Sequence, residues 1–273
     1  MTAGGPRTAE RVAPSRHSAL YWTVADSLVM ARRQLIRIPR SPEELFIATL
    51  EPVLLVVAFR YIFGGAIAVP GTSYVNYLMG GMLVMAAMFG SYNTGVGVVT
   101  DLQRGLVDRF RSLPMARSAV LTGRVLADLA RSAFIIVVVW AVGLLVGFRP
   151  EGTIEDWAAA LALLLLCSFT LIWLSLLTGL LLSSAEAVQS AESSWFFLLI
   201  FISGAFVPTA SMPDWLRPIA EHQPISVLID AVRGFVVGQP DSSATLQATV
   251  WLVALLVLLI PLSLWAYDRH TAR

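Results

Sequence analysis

The chain has 273 residues, of which 57% are hydrophobic and 14% are charged, with a net charge of +1 and a mean hydropathy of +0.74. Soluble domains usually carry about 25% charged residues, so this composition excludes an ordinary soluble domain. Several apolar stretches reach the ~20 residues that a helix needs to cross a bilayer. The sequence therefore predicts an all-α, multi-pass integral membrane protein.

The basic residues and the single cysteine exclude several kinds of chemistry. All 19 basic residues are arginine. A P-loop places a lysine on the nucleotide phosphates, so this chain cannot hold a standard ATP-binding cassette. Cys167 alone cannot form an internal disulfide or a thiolate metal site. No histidine lies in a metalloenzyme or nucleophile motif, so we predict no catalytic residue, no metal site and no cofactor in this chain.

The N-terminal region divides into two predicted segments. Residues 1–17 lack an apolar core of signal-peptide length, and we expect a flexible cytoplasmic N-terminus. Residues 18–42 are predicted to form an amphipathic helix lying along the membrane. A soluble helix packed on a partner protein is the alternative. Apolar residues recur there every three or four positions, opposite arginines that can reach lipid headgroups: Tyr21, Val24, Leu28, Ala31, Leu35 and Ile38 against Arg32, Arg33 and Arg37.

Residues 43–273 are predicted to form one membrane domain with six transmembrane helices. The arginines outside the spans divide thirteen to three between the two predicted sides, counted from the sequence. Because cytoplasmic segments carry the excess of basic residues, both termini are predicted to be cytoplasmic. The expected spans are approximately 45–64, 75–99, 119–147, 157–182, 194–208 and 247–266.

Two ionisable residues lie in the first predicted span. Glu51 and Arg60 are nine positions apart, which places them on opposite faces of a helix, so they are not expected to pair. Charged groups inside a membrane often mark ion or proton pathways. They suggest an alternative function, an ion- or proton-coupled secondary transporter that works without an ATPase. Asp128 and Arg131, three positions apart in the third span, are predicted to pair.

The second predicted span carries small residues at intervals of four. Ala86, Gly90 and Thr94 follow the spacing that lets two helices approach closely. One hypothesis places this helix at a dimer interface beside a substrate path to which Tyr92 and Asn93 offer polar groups. Packing within a single subunit is the alternative.

The cytoplasmic loop 101–114 combines charged residues with an apolar ridge. Asp108 and Arg111 are three apart and Leu106 and Phe110 are four apart, so each pair would share one face of a short helix. A short helix with these two faces could dock on a peripheral protein. A solvated basic turn is the alternative. The residues proposed for docking are Asp101, Arg104, Gly105, Asp108, Arg109, Phe110, Arg111 and Pro114.

Residues 203–239 contain four prolines between two apolar runs, which predicts a folded connector and not a further span. We expect short re-entrant or external helices here, between spans five and six. The order of Ser203-Gly204, Phe206, Pro208, Met212-Pro213, Trp215-Leu216, Pro224 and Arg233 resembles the last external segment of type-2 ATP-binding-cassette (ABC) exporter permeases. The daunorubicin-resistance permeases are the branch that it resembles most.

This resemblance implies a function and a set of partners. In the family, the loop matching 101–114 is a coupling helix that contacts the ATPase, and an elbow helix precedes the first span. Asp101, Gly105, Leu113 and Pro114 match the frame of the coupling helix. We therefore expect a permease subunit that lies in the cell membrane of a bacterium and exports a hydrophobic or amphipathic drug or lipid.

The implied partners are a separate ATP-binding subunit, which binds ATP and Mg²⁺, and a second permease subunit that is either the same chain or a homologue. The lipid bilayer and the cargo complete this set. No nucleic-acid partner is expected.

Overall fold

The computed structural model describes residues 42–67, 69, 71–104 and 117–271. In this part of the chain we find helices and turns and no strand. In chain order the helices are α1 (Pro42–Ala58, continued by a π-helical turn Phe59–Phe63), α2 (Tyr74–Ser91), α3 (Thr94–Gln103), α4 (Arg117–Leu145), α5 (Ile154–Leu181), α6 (Ala185–Phe201), α7 (Arg217–His222), α8 (Pro224–Val237) and α9 (Ser242–Thr271). A 3₁₀ turn at Thr209–Ser211 precedes α7.

Local capping residues explain where several helices begin and end. The hydroxyls of Ser73 and Ser184 accept the backbone N–H groups of Asn76 and Ala187 at the starts of α2 and α6. Thr153 begins α5 through a reciprocal capping box with Asp156. Gly238 ends α8 with a left-handed backbone, φ 74°, which glycine adopts without steric penalty.

Helix α2 lies at the centre of the molecule. Nearly all of its side chains are buried, and α4, α5 and α8 pack around it. The methionines Met79, Met82 and Met88 are almost inaccessible. A second apolar cluster joins α5 to α9. Helices α2 and α5 therefore contribute buried side chains on several faces, as expected for helices that are apolar all round.

Five of the described helical segments are long and apolar enough to cross a membrane. They are Leu45–Phe63, Tyr74–Gln103, Leu121–Leu145, Ile154–Leu181 and Ser242–Tyr267. The prediction of a multi-pass helical membrane protein is confirmed at this level. Helix α6, which contains the start of the fifth predicted span, has 17 residues.

Two predicted spans differ in detail from the structure. The second, predicted as one helix over 75–99, is interrupted at Tyr92 and Asn93 and continues as α3. The fifth was expected at 194–208, but α6 runs from Ala185 to Phe201, and turns follow it. Glu186 and Glu192, which lie between the fourth and fifth predicted spans, are helical. The polar first half of α6 packs against α3 and α5, which explains why a helix forms there without an apolar sequence.

Contacts between helix ends group those ends into two sets, one on each side of the molecule. At one side, Arg60 Nε donates to Val146 O at 3.2 Å, and Asn76 exchanges hydrogen bonds with the backbone of Arg149. At the other side, Arg124 reaches Asp101, and Gln103 Nε2 donates to Ser183 O at 2.8 Å. Chain segments that sequence analysis placed on the same side of the membrane are therefore neighbours in the structure.

The connector between α6 and α9 packs back onto the core. The apolar face of α8 is buried against α2, α5 and α9, and it comprises Ile225, Leu228, Ile229, Val232 and Val236. Arg233 joins three segments: it pairs with Asp230 at 2.7 Å, donates to Gly204 O at 2.8 Å and lies over the ring of Tyr77 at 3.8 Å. The connector is thus fixed to the end of α2.

Several predictions concern residues outside the described part of the chain. The flexible segment 1–17, nearly all of the amphipathic helix 18–42 and most of the 101–114 loop belong to this group. They stay predictions.

Candidate functional site

The interruption between α2 and α3 creates a polar site within an apolar segment. Helix α2 ends at Ser91 and α3 begins at Thr94, so Tyr92 and Asn93 stand at the break. The Tyr92 hydroxyl contacts Gln189 O at 3.2 Å and also forms a short hydrogen bond with the hydroxyl of Ser193. Asn93 is exposed. Both residues of the hypothetical substrate path therefore lie at the break, and α6 holds the Tyr92 hydroxyl in place.

A cavity of about 620 Å³ begins at this break. This volume is within the roughly 300–1,000 Å³ of typical small-molecule sites. From Asn93 to Arg104, its wall follows α3 for about 16 Å at the helical rise of 1.5 Å per residue. The other walls come from α1, α4 and α6, through Ile47, Ala48, Glu51, Arg124, Ala127, Asp128, Arg131 and Gln189.

Two ion pairs line one wall of the cavity. The Asp128 carboxylate accepts from Thr94 Oγ1 at 2.8 Å and pairs with Arg131 at 3.0 Å, as predicted from their spacing. Arg124 pairs with Asp101 at 2.6 Å and is 3.8 Å from Asp128. Asp128 is 8% exposed, so the removal of this carboxylate would leave charged groups without compensation inside the protein.

Small residues allow α2 and α3 to approach α4 closely enough for these pairs. A side-chain carbon added at Gly97 would lie only 1.6 Å from Arg124 Nη2, so the guanidinium occupies the space that a larger residue would fill. A carbon added at Gly90 would lie 2.7 Å from Cα of Ser132. The glycines therefore set the position of Arg124 and of α4.

The small residues at intervals of four in the second span are covered by other helices of the same subunit. Ala86 and Thr94 have no exposed surface, and Gly90 is buried. Gly90 faces Ser132 of α4, and Thr94 faces Asp128 of the same helix. These three residues thus have neighbours inside one chain, which corresponds to the alternative of packing within a single subunit.

The two ionisable residues of the first span occupy different surroundings. Glu51 lines the cavity from α1 and forms no ion pair with any described residue. Arg60 lies in the π-helical turn, where it donates to Val146 O. They do not contact one another, which agrees with their predicted opposite faces.

The start of the proposed docking loop lies at the open end of this cavity. Asp101 is in the last turn of α3 and Arg104 follows it, and both line the cavity. The other proposed docking residues, Gly105, Asp108, Arg109, Phe110, Arg111 and Pro114, lie outside the described residues. The cavity and the predicted ATPase contact are therefore adjacent along the chain.

Three residues that build this site were not predicted: Arg124, Gln189 and Glu192. Arg124 of α4 pairs with Asp101 of α3, the carbonyl of Gln189 in α6 accepts from Tyr92 at the break, and Glu192 of α6 lies beside Gly95 of α3. Only Glu192 gave a signal in the sequence, as a carboxyl close to an apolar run. The contact partners are many positions apart, so spacing alone could not identify them.

A bundle of apolar helices with an interrupted helix beside a polar cavity defines a multi-pass membrane protein of the transport class. The ABC-2 type transporter family matches residues 26–237, more than half of the chain. The chain belongs to this family. It is a permease of the ABC transporter class in the cell membrane, and the family implies an ATP-binding partner subunit.

Proteins with drug-resistance names are among the most similar relatives. A daunorubicin resistance ABC transporter permease of Streptomyces coeruleorubidus is 29% identical over 262 residues, covering 95% of this chain and 90% of the relative. A probable doxorubicin resistance ABC transporter permease of Mycobacterium tuberculosis is 28% identical and covers 92% and 91%. A putative transport permease of Porphyra purpurea is 24% identical and covers 78% and 74%.

Proposed function

We propose that this chain exports a hydrophobic or amphipathic drug or lipid, powered by a separate ATPase that docks on residues 101–114. In this proposal the protein crosses the membrane six times, with α6 as the fifth span and both termini in the cytoplasm. The elbow helix 18–42 lies on the cytoplasmic surface. ATP and Mg²⁺ bind to the partner.

The observation that carries the proposal is the position of the cavity. It extends from the helix break at Tyr92 and Asn93 to Asp101 and Arg104, where the predicted docking loop begins. A movement of that loop would act directly on α3 and, through the Asp101–Arg124 ion pair, on α4. This arrangement supports coupling between ATP hydrolysis and the cavity wall.

A second permease subunit is part of the same proposal. Only 11% of the α1 span is buried, and its exposed apolar side chains include Phe46, Ile47 and Leu54. This surface is available to lipid or to a second copy of the chain or a homologue. The drug names of the relatives support an amphipathic cargo for a cavity that combines aromatic and charged walls.

Changes in the docking loop test the coupling. We expect Phe110→Ala, and the double reversal of Arg109 and Arg111 to Glu, to reach the membrane at normal levels but to lose the ATPase. Truncation of an anchor side chain in an interface commonly costs about 2 kcal/mol or more, which corresponds to roughly a thirtyfold weaker contact. Co-purification of the ATPase and cargo-stimulated ATP hydrolysis measure this loss.

Matched changes away from the loop provide the controls. Phe134→Ala removes an exposed phenylalanine from α4, and Arg217→Glu reverses an exposed arginine of α7. Both should retain the ATPase. Normal co-purification and export by the loop variants would refute docking at 101–114.

A bulky side chain at the helix break tests the cargo path. We expect Asn93→Trp to reduce export, because the indole would fill part of the cavity that Asn93 lines. Binding of the ATPase should not change. Gln247→Trp, at an exposed position of α9, is the control for the added indole. Equal export by the two variants would show that cargo does not pass Asn93.

A further inference from the structure

Glu192 is a fully buried carboxyl group at the contact of α3, α5 and α6. Its exposure is 0%, and Oε1 lies 2.6 Å from Ser175 Oγ and 2.8 Å from Thr178 Oγ1. Gly95 of α3 completes the group, because its N–H donates to Ser175 Oγ at 2.8 Å. Ser175 lies about 9 Å inside the end of α5, given the rise of 1.5 Å per residue.

Both hydroxyl groups of this cluster contact the same carboxyl oxygen. Ser175 Oγ accepts from Gly95 N–H and donates its hydrogen to Glu192 Oε1. Thr178 Oγ1 lies 2.8 Å from Glu192 Oε1 and 2.7 Å from the carbonyl oxygen of Ser175, and a hydroxyl has a single hydrogen to share between these two acceptors. The donors available to the carboxyl group therefore converge on Oε1.

The second carboxyl oxygen indicates which protonation state is favoured. Glu192 Oε2 is buried, and no described residue forms a hydrogen bond with it. An ionised carboxylate would therefore place an uncompensated negative charge inside the protein, at a cost of several kcal/mol. A protonated acid leaves only a neutral carbonyl oxygen there, which costs far less.

Among the described residues, no cation pairs with Glu192. The two arginines of α4 that line the cavity pair with Asp101 and Asp128. The ionisable acid and base groups of the helices that pack on Glu192, and of α6 itself, are Asp101, Glu155, Asp156, Cys167, Glu186, Asp230 and Arg233. The one cation among them, Arg233, contacts Asp230, Gly204 and Tyr77.

We propose that Glu192 is a protonated, neutral acid at neutral pH and that it positions α6 against the interrupted helix. Its hydrogen bonds fix one face of α6 to α5. Gln189 and Ser193 of the same helix hold the Tyr92 hydroxyl. Glu192 is thus a positioning residue for the cavity wall. Its role in export rests on the proposed function, but its protonation does not.

Infrared spectroscopy of the purified permease tests the protonation without cargo or ATPase. At neutral pH we expect a carbonyl band of a protonated carboxyl group that is lost in Glu192→Gln. Glu186→Gln removes an exposed carboxylate from the same helix and should lose only carboxylate bands. The loss of carboxylate bands in Glu192→Gln would overturn the proposal.

Isotope labelling decides the question if Glu192→Gln does not fold. Wild-type protein with ¹³C-labelled glutamate should show the protonated band at a shifted frequency, and an unshifted spectrum without such a band would overturn the assignment.

Export assays test the positioning role separately. Glu192→Gln keeps the size and neutrality of the side chain, so we expect wild-type export with an unchanged pH profile. Glu192→Ala should lose export because it leaves both hydroxyls without their acceptor. Loss of export by folded, ATPase-bound Glu192→Gln would contradict a role that needs only a neutral side chain at this position.

Discussion

Replacement of Asp128 by alanine is expected to destabilise the permease strongly and to abolish export. The carboxylate pairs with Arg131 and accepts from Thr94, in a site where it is 8% exposed. Breaking a buried ion pair by removing one partner typically costs about 3–5 kcal/mol, because the other charge stays buried without compensation. Thermal unfolding of the detergent-solubilised protein, followed by tryptophan fluorescence, measures this loss.

Two further variants separate the possible causes. Asp128→Asn retains an oxygen that can accept from Thr94 and Arg131, so it should unfold between wild type and Asp128→Ala. Glu221→Ala breaks an ion pair of similar geometry with Arg217, but this pair is exposed to solvent. Exposed pairs contribute little, and we expect near wild-type unfolding. If Asp128→Ala unfolds like Glu221→Ala, the buried network does not stabilise the site.

The apolar spans were predictable because burial in lipid requires long apolar segments, and such segments are visible in a sequence. The third, fourth and sixth predicted spans overlap α4, α5 and α9 over nearly their full lengths. The pair Asp128 and Arg131 was predictable for a similar reason, since helical geometry brings positions three apart onto one face. These features depend on neighbours along the chain.

The helix break and the buried carboxyl depend on contacts between distant segments. Tyr92 and Asn93 lie in an otherwise apolar run without proline, and the structure shows their break stabilised by α6. Glu192 lies between the fourth and fifth predicted spans, whereas its partners Ser175 and Thr178 belong to the fourth span. Sequence spacing within one segment contains no information about such contacts.

The crossing of α3 and α5 is the place where a single added methyl group should have a large effect. A carbon added at Gly179 would lie 2.3 Å from the carbonyl oxygen of Gly95 and 2.7 Å from its Cα. Both are backbone atoms, so no side-chain rotation can relieve the overlap. The helices would have to separate, and the hydrogen bond from Gly95 N–H to Ser175 would lengthen with them.

We therefore expect Gly179→Val to lower the unfolding temperature and to reduce export more than Gly179→Ala. Overpacking a tight core typically costs about 1–3 kcal/mol. Alanine regains up to about 1 kcal/mol through its higher helix propensity, so its net effect is smaller, whereas valine adds more volume and regains less.

The control for these variants is Gly65→Ala, because no heavy atom lies within 4 Å of the added carbon and φ is not positive at this glycine. It should unfold like wild type. A Gly179→Val protein that unfolds and exports like the Gly65→Ala control would mean that α3 and α5 can separate without loss. The close helix contact would then not be needed to hold Glu192 and the cavity wall in place.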